Sequence, residues 1–185
     1  MKLTALATTL ALAAIFPSAP VFAQTPDQAR TAHQDTEFLK AANQGSVDEI
    51  DLAKVALKTS DDPEVKNFAQ MMIDDHTKLL DDMKPFDAEA GVSIPDHPSA
   101  GAEATRLKLD VLTGKTFDKA YIKDMVEDHH KVVEAFIKED KSTGYPAFKD
   151  AVASGEKVVR HHLEVADGLA KKDGLPTAPV PASGM

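Results

Sequence analysis

The chain has 185 residues, no cysteine and no tryptophan, and a formal charge of −9. Without cysteine there can be no disulfide, thiolate zinc site or thiol nucleophile. So acidic a chain is a poor partner for nucleic acid.

The first 23 residues read as an export signal. Lys2 is a short positive start, Leu3 to Phe16 is apolar, and Val21-Phe22-Ala23 fits a small-x-small cleavage site. The stretch is too short for a membrane anchor, and no later segment is apolar enough to span a bilayer. Cleavage near Ala23 would release a periplasmic or secreted chain of 162 residues (185 minus 23). Losing Lys2 takes its formal charge to −10. That length supports one domain, expected over residues 24–175.

Apolar residues in this part recur at helical spacing, and no stretch alternates at period two, so the expectation is all-α. The first long helix is predicted from Pro26 to Thr59. Thr25 and Gln28 offer a capping box with Pro26 at the first position, and Gly45 loosens the middle, where with the nearby alanines it leaves room for a close helix approach or a ligand. The second starts at Asp61-Asp62-Pro63 and runs to Glu89 or Gly91, with Pro85 as a candidate break or kink. A loop carrying Pro95 and Pro98 leads to a short helix, Gly101 to Leu112. After a break at residues 113–116, the third long helix runs from Phe117 to about Lys141. Tyr145-Pro146 opens the fourth, which stops near Lys172 before Gly174 and Pro176. The tail, residues 176–185, has three prolines and no charged side chain, and is expected to be disordered.

One local repeat links the second and third long helices. Met72-Ile73-Asp74-Asp75-His76 is echoed by Met125-Val126-Glu127-Asp128-His129, and more loosely by Val158 to His162. Helical wheels at ~100° per residue give this repeat a meaning. His76 falls among Val65, Phe68, Met72, Leu79 and Met83. His129 falls among Tyr121, Met125, Val132 and Phe136. His162 falls among Phe148, Val152, Val159, Ala166 and Leu169. Glu49 is the polar residue among Phe38, Ala42, Ala53 and Ala56. Glu49, His76 and His129 sit near mid-height of their helices and His162 somewhat past the middle of its own, so the four can meet at one level.

An inward polar residue is costly unless paired or ligated. A lone histidine on an apolar face is more often a satisfied core residue than a ligand. One candidate on each of four helices brings a metal site in a bundle core into contention. Glu49, His76, His129 and His162 are the expected ligands, suited to Zn, Cu, Fe, Ni or Mn. The competing reading is a buried hydrogen-bond network of the same four residues, with function on the surface. A third is a metal enzyme with an open coordination position. Haem between the histidine-bearing helices lacks an attachment motif.

His33, His97, His130 and His161 read as surface or loop residues. Asp75 and Asp128 read mainly as solvated flank residues that could orient imidazoles across the bundle. Asp118 is expected to cap its helix, and Met72, Met83 and Met125 to pack. There is no nucleophile triad and no phosphate loop.

Several segments resemble the DUF4142 family of exported bacterial proteins. They are Glu49-Ile50-Asp51-Leu52-Ala53, Val65-Lys66-Asn67-Phe68-Ala69 through Asp75-His76, Phe117-Asp118-Lys119-Ala120-Tyr121 through Asp128-His129, and His162-Leu163. The resemblance covers roughly Thr36 to Leu169. It implies a ferritin-like four-helix bundle, the short helix lying in the crossover between the second and third long helices. It implies no activity, because the family's function is unknown. A di-iron site would need Glu-x-x-His on two helices. Ile73, Val126 and Val159 stand where those glutamates would be, so ferroxidase chemistry is not expected, and a binding protein is favoured over an enzyme.

Overall fold

A computed structural model describes residues 26–182. The expected signal segment and Thr25 of the expected capping box lie outside them. Five helices follow in order: α1 (Pro26–Thr59), α2 (Pro63–Ala90), α3 (Ala100–Asp110), α4 (Gly114–Ser142) and α5 (Pro146–Lys172).

Local chemistry sets most of the ends. Asp62 caps α2 by accepting from the Glu64 amide, with Pro63 at the first helical position. Gly91 ends α2 at φ 67°, a left-handed conformation that costs glycine nothing. Ser99 caps α3 through the Ala102 amide. Pro85 lies inside α2, which runs on to Ala90, within the expected end at Glu89 or Gly91. In the last turns only one internal hydrogen bond is lost, and Phe86 still packs against the core. The break at residues 113–116 is shorter than expected, because α4 already begins at Gly114.

The four long helices run up, down, down, up. Contacts at the helix ends define this order. Ser60 and Asp118 join the end of α1 to the start of α4, and Gln34 and Ser142 join their opposite ends. Lys172 meets Glu64, and Tyr145 meets Glu89, so α5 runs antiparallel to α2. The α2–α4 connection must therefore cross the length of the bundle, as in ferritin-like folds. It does so through α3. The crossover is stapled to α1 by Asp48, whose carboxylate accepts from the Ser99 amide and hydroxyl at 2.7 and 2.6 Å. This staple lies one residue from Glu49.

Aromatic layers close the core above and below its middle. Near one end Phe117 stacks on Tyr121 at 6.2 Å, beside Phe68. Toward the other, Phe38 meets Phe136 edge-on at 4.9 Å and lies near Phe148, which in turn packs against Phe86. The Phe136 ring occupies the space a side chain at Gly155 would need: a Cβ there would lie 2.5 Å from its Cε1. Phe136 is buried and held by Phe38, so it has little room to yield. Gly155→Ala is expected to destabilise the bundle by about 1–3 kcal/mol through overpacking. Urea unfolding of the two proteins measures this directly.

After α5 the chain turns at Gly174, φ 69°, and residues 175–182 have no regular structure. Val180 packs against the core's flank, and the Arg160 guanidinium donates to the Pro181 carbonyl. Among the described residues, no helix is long and apolar enough to cross a membrane.

Candidate metal centre

Between the two aromatic layers the core turns polar. Glu49 from α1, His76 from α2, His129 from α4 and His162 from α5 are all buried, at 6, 4, 0 and 0 % exposure. Each histidine belongs to the apolar stripe of its own helix, one turn from Met72, Met125 and Val159 or Val158 respectively. Packing of those stripes draws the rings together.

Ring centroids of His76, His129 and His162 lie 5.1–6.0 Å apart. Each ring can offer one nitrogen such that all three lie within 4.8 Å of one another. Glu49 is not part of that trio. Its Oε1 stands 3.8 Å from His129 Nδ1, beyond hydrogen-bond reach.

The two nitrogens of each ring have different surroundings. His129 Nδ1 donates to the Met125 carbonyl at 3.0 Å, which leaves Nε2 with its lone pair. His162 Nε2 donates to Asp75 Oδ2 at 3.0 Å, which leaves Nδ1. His76 Nδ1 faces Ser46 Oγ at 3.2 Å, which leaves Nε2. The three remaining nitrogens are buried and have no hydrogen-bond partner. Glu49 Oε2 and the Tyr121 hydroxyl are unpartnered too. The four core residues make no hydrogen bonds to one another, so the network reading has no bonds among them to rest on.

Burial decides the charge states. It holds His129 down at about 3, helped by neighbouring His162, and pushes His76 well below the usual histidine range. Burial lowers His162 as well, while Asp75 acts in the opposite direction. Burial raises Glu49 to about 8, with Asp128 and Asp48 adding to the rise. At neutral pH the centre therefore holds neutral imidazoles and a protonated carboxyl. Neutral imidazole is the ligand form, so no proton needs to leave a histidine before it can bind a cation.

Several neighbours take roles the sequence left open. Asp75, its side chain 38 % exposed, reaches from the surface to the fully buried His162 ring. Asp128 makes no such contact and pairs with Lys131 instead. Asp118 is buried and accepts from Ser60 Oγ at 2.6 Å, tying α4 to the α1–α2 turn rather than capping a helix. His33, His97 and His161 are exposed, and His130 is half-buried. Ser46 went unremarked in the sequence. Its place three residues before Glu49, on the same face, was the available signal.

Comparison with known proteins adds a family but no chemistry. The family model described as "Domain of unknown function (DUF4142)" matches residues 21–169. No curated protein matches, and no solved structure matches.

Proposed function

The chain belongs to the DUF4142 family, and from that premise we propose that it is an exported protein that binds one transition-metal ion in its bundle core. His76, His129 and His162 supply imidazole nitrogens, and Glu49 supplies a carboxylate after losing its proton. The role this supports is metal binding, sensing or protection of the cell envelope rather than turnover. The N-terminal segment would direct export and be cleaved near Ala23.

One observation carries the reading. Each of the three imidazoles has one nitrogen engaged by a serine, a carbonyl or a carboxylate and the other buried without a partner, and each ring can offer one nitrogen within 4.8 Å of the other two. An unmet buried acceptor costs about 1–3 kcal/mol. Three of them, on rings packed against one another, are a poor design for a core and a good one for a cation. Partners of the Ser46, Met125 and Asp75 kind are what orient and polarise metal-bound imidazoles. Nitrogens around a tetrahedral ion at ~2.0–2.1 Å lie roughly 3.4 Å apart. The three rings need only draw together slightly, and no bond among them has to break first.

Elemental analysis by mass spectrometry tests the proposal, on protein exported to the periplasm and purified without chelator or polyhistidine tag. About one equivalent of a single transition metal is expected. No metal, together with no thermal shift on adding Zn, Cu, Fe, Ni or Mn, would overturn the proposal, because binding must raise the melting temperature by mass action.

A further inference from the structure

On the α1 side of the histidines lies a cavity of about 60 Å³. Its walls are mostly apolar: Ala41, Ala42, Val132, Leu79, Met83 and Phe136 contribute. Glu49 and His76 line it too, and each has a buried atom without a partner, Oε2 and Nε2.

Gly45 forms part of the same wall. Glycine in mid-helix weakens a helix and needs a compensating reason. The usual reason is close approach of another helix, as at Gly155. At Gly45 that reason is absent, because a Cβ built there would meet nothing within 4 Å. The missing side chain leaves space open beside the centre rather than admitting a neighbour.

We propose that this cavity is the ligand pocket of the metal centre, taking a molecule of two or three heavy atoms that binds the ion as a fifth ligand beside the three imidazoles and Glu49, the shell expanding from four to five. The inference rests on the metal reading above. Size limits the ligand: one water needs about 10–15 Å³ measured this way, and a cavity that holds benzene has about 150 Å³. The pocket falls between the two. Its apolar walls hold water poorly and suit a small molecule that coordinates through one atom, of the class that azide and nitric oxide exemplify. Ala42 and Gly45, one turn apart on α1, set the room available.

The test uses the mature protein loaded with Co(II), whose visible spectrum reports coordination. Azide or nitric oxide should change that spectrum saturably. Gly45→Leu should retain one equivalent of Co(II) and weaken azide binding at least tenfold, because its side chain grows into open space. Ala42→Leu, filling the same wall from the next turn, should act alike and guards against a folding defect in either variant. A cobalt-loaded protein whose spectrum responds to neither probe overturns the pocket and leaves the metal site standing. Azide binding of wild-type strength in both filled variants also overturns it. Failure to take up cobalt, iron or any other transition metal overturns the metal reading, and the pocket with it.

Discussion

His129→Ala and His76→Ala are each expected to eliminate stoichiometric metal binding while the helices persist. Both side chains are buried, and each offers a nitrogen that nothing else engages. Alanine at either position removes a ligand outright. The affinity loss should exceed the ~10–100-fold that follows from removing a group that only orients a ligand. Asp75→Asn provides that lesser case. It weakens the hold on His162 Nε2 but keeps every ligand, so binding should fall within that range without vanishing. His161→Ala, at an exposed position on the same helix as His162, should change nothing. Isothermal titration with Zn(II), alongside far-ultraviolet circular dichroism, separates these outcomes. Wild-type affinity in both His129→Ala and His76→Ala would refute the ligand assignment.

The metal-free protein should be most stable near pH 6.5 and lose stability on either side, for two opposite reasons. His129 titrates near 3 when folded and near 6.5 when unfolded. Below pH 6.5 the unfolded chain takes up a proton that the folded one refuses, so stability falls as pH falls. By pH 5 this costs about 2 kcal/mol for His129, with His76 and His162 acting in the same direction. Glu49 has the opposite slope. Its folded value of about 8 lies above the ordinary 4.5. The unfolded carboxyl ionises first, so stability falls as pH rises from 4.5 to 8, by up to about 3 kcal/mol at pH 7. The three histidines outweigh Glu49 in the acid range, and above pH 6.5 Glu49 is the larger of two carboxyls that burial raises, Glu139 at about 7 being the other. Glu49→Gln should therefore stabilise the metal-free protein at pH 8 while leaving the acid limb intact. Urea midpoints in chelator from pH 5 to 8 measure both limbs. A Glu49→Gln protein that loses as much stability as the unaltered chain between pH 6.5 and 8 would show that Glu49 is not the main source of that limb, Glu139 supplying the smaller remainder.

Such a gain from deleting a carboxyl has a physical meaning. A group that destabilises the resting fold is retained for what it does when engaged. Glu49, unpaired in the core and 3.8 Å from His129, fits that description. The same holds for Gly45, which weakens α1 without letting any neighbour approach more closely.

Much of the fold was legible in the chain itself. Apolar spacing at 3.6 residues per turn required four long helices, and Asp62, Gly91 and Pro146 marked ends where the structure has them. The same spacing placed Glu49, His76, His129 and His162 on inward faces and His161 at the edge of one, because a side chain's direction on a helix depends only on its own helix. Gly114 misled because glycine reports local backbone preference. Near a helix end, packing of Phe117 outweighs that preference.

What the chain could not disclose depends on how separate helices meet. The spacing within α2 cannot say that Asp75 reaches His162 on α5, while its counterpart Asp128 on α4 reaches only solvent and Lys131. Nor can it say which nitrogen of each ring is already taken. Those facts follow from the rotation and vertical offset of one helix against another, which the up-down-down-up order imposes. For Gly45, helical periodicity allowed either a close helix contact or open space. Only the tertiary structure chose the second, because the position and tilt of the neighbouring helices determine whether anything fills the room a missing side chain leaves.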